Sequence, residues 1–255
     1  MPTEYMCRYQ NFTPCVGGYA LRAPLYLPPI PEWTIRVKAA TPGQRPKAKT
    51  GAIVTRLYDD LDIYDVTLVN ANWRDILYND TASRVNEISE VIGSNTPRVT
   101  DMHSAFKDQK SLVKITQLDT AGCTDMGAMF DGCISLQKVT KFDTSHVIDM
   151  MQMFNQNTSL PRLPAFETPA CIDMRYLCAS CTSLVEVPLL DTSAVTRIDF
   201  AFTACRAVES GALALYTQMS SQATPPSSHS GTFRNCGADT TSGAAELAQI
   251  PSDWK

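Results

Sequence analysis

The sequence predicts an α/β repeat solenoid, and three observations predict it. Met102, Met126, Met150, Met174 and Ile198 stand 24 residues apart. Phe106, Phe130, Phe154 and Phe202 keep the same interval, with Cys178 in the ring's place in the fourth copy. Leu112, Leu136, Leu160, Leu184 and Val208 do so too, as do Ile115, Val139, Leu163 and Val187, with no insertion between residues 101 and 205. A fixed period of this length belongs to coils that cannot bury an apolar face alone and stack in order to do so.

Each coil is predicted to hold a short helical turn and a short parallel strand. Met126 and Phe130 are spaced i, i+4, which places both on one face of a helical turn at DMxxMF. A polar turn follows, then an extended run at SLxxV, then a second turn built on Asp-Thr-Ser. Stacked strands would lie about 4.8 Å apart, so five coils would span roughly 24 Å. Subtracting one period places Ile88, Val91, Thr96 and Val99 under Leu112, Ile115, Thr120 and Cys123. The Met and Phe columns are lost there, as a terminal copy facing solvent would lose them.

The flanks divide the rest of the chain. Residues 1–31 carry Pro24, Pro28, Pro29 and Pro31 and read as an extended arm. Pro24, Tyr26, Pro28, Pro29 and Trp33 are its candidate docking residues, a plain linker being the alternative. Residues 32–76 form a small β element that closes the first coil, with strands expected over 33–38, 52–57 and 63–69. The coils occupy 77–205, and 206–255 form a helical C-terminal cap. ESGALALYTQMSSQ and GAAELAQI are its helix candidates, separated by the loop ATPPSSHSG.

Composition excludes several functions. A 255-residue chain with net charge −4 and pI near 5.4 lacks the clustered cations that nucleic acid requires. The N-terminus has no basic leader, and no stretch approaches the ~18 apolar residues of a membrane span. The expectation is a protein neither inserted in a membrane nor exported by an ordinary signal. Of nine cysteines, Cys133, Cys181 and Cys205 share one column and Cys123 and Cys171 another. That placement reads as small buried apolar residues in a reducing compartment rather than a disulfide framework.

Candidate chemistry is sparse. Asp101, Asp125, Asp149 and Asp173 form one acidic column, and Asp119, Asp143, Glu167 and Asp191 another. Adjacent like charges at this spacing repel by roughly 1 kcal/mol in water. A helix N-cap contributes about as much, so capping accounts for the columns, with calcium as the alternative. Cys178 and Cys181 make a CxxC pair, but no second pair or histidine set accompanies it. His103, His146 and His229 lie in unrelated settings, and no phosphate loop, HExxH or GxSxG is present. No enzyme activity and no cofactor or metal is expected. Lys107, Asp108, Asp131, Asn155, Gln156 and Ser180 vary between copies within one polar turn. They form the candidate binding face, with a merely solvated face as the alternative.

The blocks DMGAMFDGCISLQKVTKFDTSHV and CTSLVEVPLLDTSAVT resemble the BspA-like leucine-rich-repeat surface proteins. Their copies read roughly VTDMxxMFxGCxSLxxVPxFDTSN, and the resemblance covers residues 75 to 205. Pro169 departs from it where Ser is usual, as do Gln109 and Asn157 where Cys is usual. The flanks are similar to those of the version found in bacteriophage and prophage tail regions. The resemblance implies a leucine-rich-repeat-like fold and a non-enzymatic adhesion or recognition module. The missing export signal favours the virion of a tailed phage, as a tail fibre, tail tip or minor tail protein. Its partners would be other virion proteins, reached through the N-terminal arm, and a host cell-surface protein or glycan. A homo-oligomer is compatible with this, as are a purely architectural decoration subunit and a bacterial adhesin.

Overall fold

The computed structural model describes residues 34–46, 52–58, 62–68, 88–96 and 98–255. The candidate docking residues Pro24, Tyr26, Pro28, Pro29 and Trp33 lie outside these. Strands β1 (Thr34–Ala39), β2 (Ala52–Tyr58), β3 (Ile63–Leu68) and β4 (Ile88–Asn95) are followed by two-residue strands β5 (Lys114–Ile115) and β6 (Lys138–Val139). They form one mixed sheet in the order β2-β3-β1-β4-β5-β6. Two nine-residue helices follow, α1 (Ala212–Ser220) and α2 (Thr241–Gln249).

This corrects the α/β leucine-rich-repeat-like solenoid with helical turns and a helical cap that the sequence predicts. The architecture is a six-stranded mixed sheet with two short helices, and no copy of the repeat holds an α-helix. Within residues 101–205 only two copies contribute a regular strand, β5 and β6, which pair with each other and, through β5, with β4. Beyond them, single parallel bridges join Asp101 to Asp125, Asp125 to Asp149, Asp149 to Asp173, and Asp173 to Arg197.

The reason lies in where the amide protons go. The N–H groups of Met102, Ser104, Phe106 and Asp108 donate at 2.7 to 2.9 Å to the carbonyls of Asp125, Gly127, Met129 and Asp131 in the next copy. Those of Ala105, Lys107 and Gln109 close tight turns onto Met102, Ser104 and Phe106. An α-helix needs every N–H for the carbonyl four residues back, so half of these donors are committed elsewhere. Met and Phe at i, i+4 therefore point inward from a run of turns.

β4 is the hinge of the sheet's topology. It pairs antiparallel with β1 through Val37↔Val91 and parallel with β5 through Val91↔Ile115. Both faces of β1 are covered. Ile35 and Val37 are fully buried, and Arg36, also buried, makes a two-pronged ion pair to its cross-strand partner Asp65 at 2.7 and 2.8 Å. One apolar cluster then runs from Ile35 to Trp254. In its middle Phe130 stacks between Phe106 and Phe154, at centroid distances of 5.4 and 5.5 Å.

A sixth copy, hidden in the sequence, follows α1. The N–H groups of Ile198, Phe200, Phe202 and Ala204 donate to the carbonyls of Ser228, Ser230, Thr232 and Arg234. The interval here is longer than 24 residues, and α1 occupies the extra length. SGTFRNC (230–236) thus takes the place of GAMFDGC (127–133), and Phe233 stacks on Phe202 at 6.1 Å. The ring of Trp254 lies 4.1 Å from His229 and 6.4 Å from Phe233.

Candidate functional site

The variable surface of the copies is carried by turns with an unusual backbone. Ser104, Ala128, Gln152, Tyr176 and Phe200 all have φ between 50° and 60°. Four residues on, Asp108, Gly132, Gln156, Ser180 and Ala204 repeat that left-handed conformation. For an L-residue it costs about 1–2 kcal/mol, and it is most unusual for a bulky side chain. Regularity of the stack sustains it, because each such residue donates its N–H to the next copy.

The acidic column supports the same turns. Oδ1 of Asp101, Asp125, Asp149 and Asp173 accepts from the N–H two residues on, at 2.8 to 3.0 Å. These are Asx turns rather than the expected helix N-caps, since no helix follows. Asp143 and Asp191 do the same for Ser145 and Ser193. Buried Thr120, Thr144 and Thr168 donate to the carbonyls of Asp143, Glu167 and Asp191 at 2.6 to 2.7 Å, linking each copy to the next. Beyond the last of these, Gln218 and Gln222 reach from α1 and its C-terminal end to the hydroxyl of Thr192.

The six residues of the expected binding face separate into two sets. Lys107, Asp131 and Asn155 come together: Lys107 Nζ lies 3.0 Å from Asp131 Oδ2, and Asn155 Nδ2 donates to Asp131 Oδ1 at 2.8 Å. Asp131 and Asn155 are buried, so this set is largely occupied with itself. Asp108, Gln156 and Ser180 instead hold left-handed corners, and Asp108 lies over Gly132, where a Cβ would come within 2.6 Å of its Oδ1.

A second strip, which column reading passed over, is richer. Ile148, Ile172 and Tyr176 are exposed at 45, 40 and 37 %. Tyr176 stacks on Phe200 at 5.1 Å, and Phe200 in turn lies over Gly231, where a Cβ would meet the ring at 2.7 Å. The carboxylates beside them differ sharply. Asp173 is pushed up by burial, but hydrogen bonds from Arg175 and the charges of Arg175 and Arg197 outweigh this and hold it below the ordinary range. Arg175 Nη2 and Arg197 Nη2 lie 2.7 and 3.1 Å from its Oδ2. Asp149 is pushed up by burial and then by the charges of Asp173 and Asp125, and its hydrogen bond from the Met151 N–H does not offset them. Only the repetition of Asp was legible; the exposed apolar neighbours differ in type from copy to copy.

The remaining candidates are structural. The described cysteines are buried free thiols. Burial pushes Cys123, Cys171 and Cys236 up to about 12 and raises Cys178 and Cys205 as well. Thiols of Cys133, Cys181 and Cys205 donate to the carbonyls of Phe106, Phe154 and Cys178. Gln109 and Asn157 stand in that column, fully buried, and the side-chain amide of Asn157 has no hydrogen-bond partner among the described residues. His103 lies 3.4 Å from Asp125, His146 is 3.1 Å from the Ser145 hydroxyl and His229 stacks on Trp254, so the three do not converge. Among the described residues no group of three His, Cys, Asp or Glu could hold a metal ion, and no helix is long and apolar enough to cross a membrane.

The geometry defines a protein with one mixed six-stranded sheet, whose 24-residue sequence copies bond backbone to backbone. The chain belongs to the family described as Mycoplasma protein of unknown function, DUF285, a domain associated with BspA-like surface repeat proteins. Two overlapping matches, over residues 76–187 and 100–216, together cover more than half of the chain and begin one repeat period apart. No curated protein and no solved structure matches it.

Proposed function

We propose that the chain is a non-enzymatic recognition module displayed on a surface. The observation that supports this most directly is the strip around Ile148, Ile172 and Tyr176, where exposed apolar side chains are mounted on turns whose backbone groups are bonded between copies. Such a surface is stiff and varied, two properties that binding rewards because little ordering entropy is lost on contact. The setting proposed is the virion of a tailed phage, as a tail fibre, tail tip or minor tail protein. It rests on the resemblance of the flanking sequences, and residues 1–31 would meet other virion proteins. A bacterial surface adhesin is the second reading, favoured by the family's association with BspA-like surface repeat proteins.

Antibodies against the full chain distinguish these. Labelling of purified particles together with blocked adsorption supports the virion reading. Labelled particles that adsorb normally would mark an architectural decoration subunit. Labelled cell envelopes in particle-free cultures would favour the adhesin.

A further inference from the structure

Lys107, Asp131 and Asn155 hold the same position in three successive copies, and each brings a different group: an amine, a carboxylate and a carboxamide. The carboxylate touches both of the others. Lys107 Nζ lies 3.0 Å from Asp131 Oδ2, and Asn155 Nδ2 donates to Asp131 Oδ1 at 2.8 Å. Amine and carboxamide thus rest on the two oxygens of one group. Asp131 and Asn155 are each 8 % exposed, and Ala179, next in the column, is 3 % exposed. The backbone beneath them is fixed from copy to copy, since the Asp131 carbonyl accepts from the Asp108 N–H at 2.7 Å and the Asn155 carbonyl from the Gly132 N–H at 2.9 Å. Lys107 is the least buried of the three, with a side chain 31 % exposed, so it is the member with room to swing.

These are the parts of an acyl-transfer reaction that needs no further reagent. A lysine amine is a nucleophile once it has lost a proton, and a carboxylate in contact with the ammonium is placed to take that proton and to pass it on. A carboxamide resists amines in solution, but reactants held together on a rigid scaffold no longer depend on a chance encounter. We propose that Lys107 and Asn155 form a self-modification site, in which their side chains become joined by an amide bond after folding and Asp131 carries the proton. Asp131 takes a proton from the Lys107 ammonium, and the lone pair of Nζ attacks Cγ of Asn155. The bond from Cγ to Nδ2 breaks as Asp131 returns its proton to Nδ2, and ammonia leaves. The extra proton on the new amide nitrogen passes to that ammonia, giving ammonium, and Asp131 ends as the carboxylate it was. The bond ties the first copy to the third across the second, so these copies cannot part without breaking a covalent link. This inference goes beyond the recognition reading and does not depend on it.

Mass spectrometry of the purified full chain tests it. The intact mass should fall short of the sequence by one ammonia, and a tryptic digest should contain the peptide of Lys107 joined to the peptide of Asn155. Lys107→Arg keeps a cation on Asp131 but cannot form the amide, and it should show its full mass. Asp131→Asn should do the same, with circular dichroism reporting whether each variant is folded. The joined peptide from the parent chain decides the matter even where a variant fails to fold. Full mass in the folded parent would overturn the proposal and leave a hydrogen-bonded ion pair only. Loss of ammonia without the joined peptide would mark a cyclised asparagine, and loss of water would mark a bond from Lys107 to Asp131 itself; either result overturns it as well. A joined peptide that persists in Asp131→Asn would overturn the part assigned to Asp131.

Discussion

The sheet around β1 and the stack after residue 98 meet the same backbone demand in different ways. In the first, β1 has a strand on each side, and register pairs satisfy its amides. In the second, two-residue strands and single bridges are all the regular pairing there is among the described residues. There the amides bond mainly to backbone carbonyls of the next copy and of their own turn, and aspartate, threonine and cysteine side chains at fixed positions satisfy groups that these bonds leave. Buried backbone must be paired, and regular secondary structure is only one way to pair it. The sheet holds its shape through strand register, whereas the stack depends on particular side chains and is more exposed to single substitutions.

That contrast can be tested, beginning with the largest effects. Phe130→Ala removes the middle ring of the Phe106 stack and should cost about 3–5 kcal/mol in urea unfolding; a loss below roughly 1 kcal/mol would mean the stack repacks freely. In the sheet, Asp65→Ala removes the two-pronged carboxylate partner of buried Arg36 and should cost a similar 3–5 kcal/mol or so. The double variant Arg36→Met with Asp65→Leu should recover most of it, and failure to recover would show that the ion pair is itself needed for β1 register.

Smaller changes probe the irregular copies. Asn157→Cys restores the thiol column and removes an unpaired buried amide, so a gain of about 1–3 kcal/mol is expected by thermal or urea unfolding. No gain would indicate that the amide is satisfied in solution. Gln156→Gly tests the left-handed corner that Gly132 already occupies by glycine. Relief of backbone strain is partly offset by unfolded-state entropy, leaving a gain of about 1 kcal/mol or less. Destabilisation would place the Gln156 side chain in contacts that matter.

The smallest effect concerns pH. Asp149 is raised in the folded state, so its contribution to stability is fully present below the unfolded value of about 3.9 and is lost as pH rises through the raised folded value. Charged Asp149 therefore weakens the fold at neutral pH. Asp149→Asn keeps the acceptor for the Met151 N–H and should be more stable than the parent at neutral pH, with the difference vanishing in acid. Thermal melts across pH would reveal it, and a pH-independent difference would sink this account.

Much was legible residue by residue. The expected strands near 33–38, 52–57 and 63–69 correspond to β1, β2 and β3; the first helix candidate contains α1, and the second overlaps α2, which begins two residues earlier at Thr241. The conformation of the repeat was not. Spacing i, i+4 fits a helical turn and a run of left-handed turns alike, because both bring the two side chains to one side. The sixth copy was concealed for a related reason: α1 lengthens the interval, and Ser228 and His229 replace the Asp and Met that mark the first four copies. The spacing Phe233 to Cys236, shared with Phe130 to Cys133 and Phe202 to Cys205, was the available signal. In the expected binding face, Asp131 and Asn155 are buried and paired, which variation between copies cannot foretell.

By itself, then, the sequence determined the period and which columns are apolar, acidic or small, because those depend only on spacing and residue type. Tertiary structure decided that the copies are turns rather than helices, since each alternate amide finds its acceptor about one period away in the chain. It also decided which carboxylate goes unanswered. Asp125, Asp149 and Asp173 are alike in sequence, and only the placement of His103, Arg175 and Arg197 makes them unlike in charge.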